Sequence, residues 1–148
     1  MKMLEALILA LIAIAPFSAT AGDEDEISLF DGRGNAVAYI ALDDELTIYL
    51  WGGKPVAYLD RDDAGGYHVY GFNGKHIGWF VGGIFRDHAG DAVCASAENL
   101  QHTEFEPFKA FKEFKPFKAF QEFAPFRPSF SSNWSDTPCR FALAEGGA

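Results

Sequence analysis

With 148 residues, 49% of them hydrophobic and 16% aromatic, the chain holds enough apolar material for one modest domain. Its net charge of −9 is unevenly placed: Gly22 to Leu100 carries fourteen Asp and Glu against five Lys and Arg, whereas Gln101 to Phe130 carries four against five. So acidic a body is repelled by phosphate backbones and anionic headgroups, which sets nucleic acid aside as a partner.

The first 21 residues read as a signal peptide. Lys2 and the amino terminus give a positive start, Leu7 to Ala15 is an apolar run, and Ala19-Thr20-Ala21 supplies small residues at a cleavage site. The run is too short to span a bilayer. The mature chain is therefore expected to be exported, to the periplasm or the exterior. Its two cysteines, Cys94 and Cys139, have no C-x-x-C spacing, so a disulfide is the plain reading in an oxidising compartment. Whether they pair is left open by the crowding expected around Cys94.

Residues 22–100 repeat. ISLFDGRGNAVAYI from Ile27, TIYLWGGKPVAYL from Thr47, HVYGFNGKHIGWF from His68 and GIFRDHAGDAVCA from Gly83 each place a Gly-rich turn between two apolar runs. The aligned turn glycines are Gly34, Gly53, Gly74 and Gly90, and a period near 20 residues signals a repeat architecture. Each unit predicts a β-hairpin, with a two-residue type I′ turn at Asn73-Gly74. The second strands align as Val37-Ala38-Tyr39, Val56-Ala57-Tyr58, Ile77-Gly78-Trp79 and Val93-Cys94-Ala95. Strict alternation would put Val or Ile with the aromatic on one face and the small residue on the other. Four small residues at matching positions point to a crowded convergence of four strands. Four hairpins around one axis can close a small barrel.

The stretch from residue 101 to 130 sets phenylalanine at every third position: Phe105, Phe108, Phe111, Phe114, Phe117, Phe120, Phe123 and Phe126. Pro107, Pro116 and Pro125 argue against a helix, and a strand would alternate the rings between faces. Polyproline II, with three residues per turn, puts every ring on one edge. A second edge is mixed (Pro, Ala and Glu), and a third is basic, with Lys109, Lys112, Lys115, Lys118 and Arg127. Burying a Phe is worth roughly 1.5–3 kcal/mol, so the expectation is that the ladder wraps the hairpins with its rings inward. The alternatives are docking on an envelope protein and insertion into membrane lipid. Residues 131–148 are a C-terminal segment to which no element is given.

The four histidines do not suggest a metal site. With Asn73-Gly74 as the central turn residues, His68 and His76 fall on opposite faces of their hairpin, and a zinc site needs convergent ligands. Asp43-Asp44-Glu45 and Asp60 to Asp63 read as solvated loops. Asp87 reads as the start of the fourth turn and not as half of an acid–base pair with His88.

The four repeats, the GK-x-[VI]-[AG]-[YW] strands and the F-x-P-F-K tail resemble the four-fold β-flower domain proteins. The resemblance runs from about Ile27 to Ser135. It implies an all-β fold, a shallow small barrel of four hairpin petals with a polyproline-II-like extension. It implies no cofactor and no known activity. The shape is similar to tubby C-terminal and scramblase-like domains, some of which bind phosphoinositides, but no lipid-contacting residue carries over. The reading is an exported, non-catalytic binding or structural module of the cell envelope. Lipid or small-ligand binding is the alternative, and an enzyme with a central pocket is the competing class.

Overall fold

Turn chemistry sets the architecture. The N–H of Gly34, Gly53, Gly74 and Gly90 donates to the carbonyl three residues earlier, on Asp31, Leu50, Gly71 and Asp87. The N–H of each of these four residues in turn donates across the turn, to Asn35, Lys54, Lys75 and Asp91 at 2.8–3.0 Å. The glycines hold φ of +89°, +99°, +88° and +90°, a region that side chains disfavour. All four turns are thus the longer hairpin loop that ends in a left-handed glycine, and the two-residue turn expected at Asn73-Gly74 is corrected by one residue.

The structure is a computed structural model that describes residues 25–146, so the leader expected over residues 1–21 lies outside it. Its strands are β1 (Glu26–Phe30), β2 (Ala36–Ala41), β3 (Thr47–Leu50), β4 (Pro55–Arg61), β5 (Tyr67–Gly71), β6 (His76–Val81), β7 (Ile84–Arg86) and β8 (Ala92–Ala95). They form a closed antiparallel barrel in chain order, sealed where Phe30 of β1 pairs with Ala95 of β8. The all-β small barrel of four petals is as expected, and a helix, α1 (Cys139–Ala144), is added to it.

Strict alternation fails at one site in every petal. Pairing passes from Leu29↔Ala38 to Phe30↔Ala36, from Ile48↔Ala57 to Tyr49↔Pro55, from Val69↔Gly78 to Tyr70↔His76, and from Phe85↔Cys94 to Arg86↔Ala92. The residue skipped is Val37, Val56, Ile77 or Val93. A bulge places two successive residues on one side. The Val or Ile therefore joins the small residue in the central core instead of joining the aromatic, which is a correction to the expected facing. Tyr39 and Tyr58 are left on the outer face, in aromatic clusters of their own.

The C-terminal segment fills the middle. Helix α1 packs against β2, β4 and β8, the strands that carry Ala38, Ala57 and Cys94. Its inward residues Cys139, Ala142 and Leu143 stand at helical spacing and are buried. The small strand residues leave the volume that these side chains occupy. Gly78 is small for a nearer reason, since a Cβ there would run into the Arg86 carbonyl. At the far end of α1, the Gly146 carbonyl accepts from the Asn73 N–H at 3.2 Å and the Glu145 carbonyl from Asn73 Nδ2 at 2.8 Å.

Cys94 and Cys139 are bonded, with Cα atoms 5.5 Å apart. The crowding that left the pairing open is the reason it can form, because the helix brings its own cysteine to the centre. Such a bond is compatible with an exported protein. It closes a span of 45 residues. Replacing both cysteines by alanine is expected to lower the unfolding free energy by about 3–4 kcal/mol in urea titrations of the full chain. A loss under about 1 kcal/mol would mean that packing alone holds the helix.

Candidate functional site

The Phe-rich segment makes one circuit of the barrel, as a belt that touches each petal tip in turn. The N–H groups of Glu104, Glu113, Glu122 and Ser131 donate to the carbonyls of Gly34, Gly53, Gly74 and Gly90 at 2.8, 2.9, 2.9 and 3.1 Å. The donors are nine residues apart. Two further donors keep the same register, Ala110 to Trp51 at 3.2 Å and Ala119 to Phe72 at 2.8 Å. All six lie on the mixed edge. Its remaining members between them, Pro107, Pro116, Pro125 and Pro128, have no N–H to place. Every position on that edge therefore either bonds a petal or lacks the donor. The turn glycines complete the fit, since a Cβ on Gly53 or Gly74 would overlap the Phe111 or Phe120 carbonyl. The circuit ends where Trp134 bridges to Ala92 of β8 and its ring lies 3.3 Å from where a Gly32 Cβ would stand, back at the first petal.

The basic edge also turns to the body. Lys109 and Lys112 pair with Glu26, Lys115 with Asp44 at 2.7 Å and Glu45 at 2.8 Å, and Arg127 with Asp62 at 3.4 Å. Hydrogen bonds to Asp44 and Glu45 push the Lys115 ammonium up from its ordinary value. Beneath these cations lie the outer-face aromatics. Lys109 Nζ sits 4.6 Å from the Tyr39 ring centre and 5.2 Å from that of Trp51, and Lys118 Nζ sits 4.2 Å from that of Tyr58. The Trp51 indole donates to the Pro107 carbonyl at 2.9 Å, and the Tyr70 hydroxyl donates to the Glu122 carbonyl at 2.8 Å. Burial first, then the charges of Glu26 and Asp44, push the Tyr39 phenol up to about 12.

With two edges committed inward, the third faces out. The eight ladder phenylalanines are between 95% and 101% exposed. The ladder wraps the barrel, as expected, but the inward facing of its rings is corrected. Backbone donors and cations have partners on an acidic, carbonyl-rimmed body, and rings on the same side would leave those groups unpaired.

The same register correction alters the third petal. Because Ile77 is bulged, His76 pairs with Tyr70 and shares a face with His68. His68 Nδ1 lies 3.0 Å from His76 Nε2, and His76 Nδ1 lies 3.0 Å from His88 Nε2. The expected separation of His68 and His76 is therefore wrong. Sequence alternation hid this row, and only the strand pairing, with its bulge at Ile77, brings it to view. His76 uses its two nitrogens on different neighbours. Among the described residues no His, Cys, Asp or Glu group converges as a metal site would require. His76 is buried, and that burial, with the neighbouring His88 and His68, depresses its imidazole to about 4. Asp87 does start the fourth turn, where its carboxylate accepts from the Ala89 and Asp91 N–H groups at 3.0 Å.

Residues 27–143 match the family model of the 4-fold beta flower protein. The chain belongs to that family. In this β-flower the matched stretch takes in the four petals, the belt and nearly all of α1. No curated protein and no solved structure matches the chain.

Two measurements check the site's energetics. Gly53→Ala, strained at φ +99° and driven against the Phe111 carbonyl, is expected to cost about 1–3 kcal/mol in chemical denaturation. Gly52→Ala, which meets nothing within 4 Å, is expected to cost less than about 0.5 kcal/mol. His76 is neutral when folded, and its unfolded imidazole takes up a proton at higher pH than the folded one. Stability is therefore full above pH 6.5 and falls as pH drops from 6.5 towards 4, by on the order of 3 kcal/mol. Unfolding free energies at pH 7, 6, 5 and 4.5 test this, and His76→Asn is expected to flatten that part of the curve.

Proposed function

We propose that this β-flower is an exported, non-catalytic binding module of the cell envelope, and that its belt docks on an apolar protein surface there. The observation that carries this reading is the outward ladder of eight phenylalanines, each at least 95% exposed. At about 150–250 Å² per ring, they present on the order of 1,200–2,000 Å² of apolar surface. That is well above the few hundred Å² normal for a monomer and comparable to one side of a large interface. Four of the belt's five cations, Lys109, Lys112, Lys115 and Arg127, are matched to the body's carboxylates, and the body is acidic, so attraction to anionic lipid is weak. This favours a protein partner over a bilayer. The apolar filling of the barrel centre by Cys139, Ala142 and Leu143 favours a module over an enzyme with a central pocket. The apolar leader segment and the disulfide support export.

A second reading has its own support. A cleft of about 530 Å³ lies between the first two petals and α1, lined by Val37, Leu50, Trp51 and Phe141 with Asp31, Lys54 and Arg140 at its polar side. Its size suits a small amphiphile. A saturable change in Trp emission with a lysolipid, lost in Leu50→Asp, would support it.

The belt reading is tested with the mature full chain and the triple variant Phe108→Ser, Phe117→Ser, Phe126→Ser. The variant should keep its thermal midpoint, because the three rings touch solvent alone. The wild-type chain is expected to sediment with washed envelopes, to lose that binding when the envelopes are first treated with protease, and to stay soluble with vesicles of the extracted lipids. The variant is expected to lose envelope binding at least tenfold. Sedimentation of the wild type with the protein-free vesicles would replace the protein partner with a lipid surface. No sedimentation with either, or equal binding by the variant, would overturn the role given to the belt.

A further inference from the structure

The histidine row lies under one segment of the belt and shares its partners with it. At one end His68 Nε2 stands 3.6 Å from Asp62 Oδ1, and Asp62 also takes Arg127 of the belt at 3.4 Å. Arg127 Nη1 donates as well to the Gly65 carbonyl at 3.0 Å. In the middle, the backbone N–H of His76 donates to the Glu122 carboxylate at 2.7 Å. Tyr70, whose ring meets the His76 ring edge-on at 5.0 Å, donates its hydroxyl to the Glu122 carbonyl. At the other end His88 sits in the turn of the fourth petal, and its ring stacks on that of His76 at 11°.

Counting protons defines what the row can do. Three neutral imidazoles satisfy both N···N contacts if each donates in the same direction, for example from His88 through His76 to His68, with the last N–H turned to Asp62. One added proton is also accommodated, because an imidazolium at any position donates both ways and its neighbours reorient to accept. A second added proton is not. Two imidazoliums and one neutral ring bring five N–H groups to three rings, and one N···N contact must then set N–H against N–H.

We propose that the row is a proton-operated fastening for the belt segment from Gln121 to Arg127, closed with up to one added proton and opened by the second. Opening displaces the His76 ring that supports Tyr70, whose hydroxyl holds the Glu122 carbonyl of the belt. It also sets His68 in competition with Arg127 for Asp62. The charged and titratable groups facing the row are Asp62 in the turn after β4, Asp60 on β4 and beside Tyr70, His68 and Tyr70 on β5, His88 and Asp87 in the last turn, and Glu122 and Arg127 on the belt. The negative charges of Glu122 and Asp62 offset one positive charge on the row. Mutual repulsion of the rings and burial of His76 resist the next, so opening belongs to the acid side of neutrality. Its effect is to free the stretch that displays Phe123 and Phe126 while the rest of the belt stays fastened.

The repeat supplies the control. The N–H of Glu122 makes the same bond to a petal tip as those of Glu104 and Glu113, which have no histidine row beneath them. Amide exchange is followed by NMR on the full chain between pH 7.5 and 4.5, each rate corrected for its intrinsic pH dependence. The imidazole ¹⁵N shifts in the same samples count the protons on the row. Protection at Glu122 is expected to fall at least tenfold as the second proton is taken up, with less than threefold change at Glu104 and Glu113. In His68→Asn/His88→Asn, which keeps one ring and no N···N contact, the difference between Glu122 and Glu113 is expected to lose its pH dependence. Parallel loss at all three amides, opening with the first proton, or a doubly protonated row under a protected Glu122 would each overturn the proposal. The ¹⁵N count reads the wild-type chain alone, so it decides the question even if the double variant does not fold.

Discussion

One hydrogen bond per petal, from a belt N–H to the carbonyl of the turn glycine, is the constraint to which the rest of this molecule is fitted. It recurs every nine residues. Nine is a multiple of three, so an extended chain with three residues per turn presents the same edge inward at every tip. A period of eight or ten would rotate that edge away, and the rings would turn against the body at one petal and outward at the next. The constraint explains the composition of the belt edge by edge. Donors and prolines lie on the edge that meets the carbonyls, cations lie on the edge that meets the carboxylates, and phenylalanine lies on the edge that meets neither. The ion pairs themselves add little each, since their side chains remain partly exposed. Their larger effect is on specificity, because they match a basic edge to an acidic wall.

The petal bulge is the second device. Placing one extra residue in each second strand sends Val37, Val56, Ile77 and Val93 inward beside a small neighbour. The ring of strands thus gains enough apolar lining to hold a helix, and the outer wall keeps its aromatics for the belt to lie on. In the third petal the same bulge has a side effect, since it carries His76 to the face of His68 and assembles the histidine row. Core packing and the polar cluster under the belt therefore come from a single feature of the strand pairing.

Much of this was legible in the chain. The glycine period marked the petals, the small residues marked the centre, and the three-residue spacing gave the belt its edges. What was not legible has physical causes. A bulge leaves no local mark in one strand, because Val37-Ala38-Tyr39 reads equally well as plain alternation, and only the pairing with Leu29 and Phe30 reveals the skipped residue. The direction of the rings could not be read from hydrophobicity, which favours burial, because it was decided by where the backbone donors and the lysines find partners. Helix α1, six residues long, is too short to show periodicity, and it is defined by the cavity it fills and by Cys94.

The position of α1 has a consequence for how the molecule is made. The segment that completes the centre is encoded after everything that surrounds it. A nascent chain that has released all four petals still has an empty middle, with Ala38, Ala57 and Cys94 facing a void and an unpaired thiol. Until that segment is in place, the barrel lacks the side chains that fill its centre. A chain interrupted anywhere in the Phe-rich stretch combines a hollow barrel with a row of bare rings, the very mixture that quality-control proteases and chaperones recognise. The residues from Cys139 to Leu143 thus finish, from outside the repeat, a core that the four petals cannot fill by themselves.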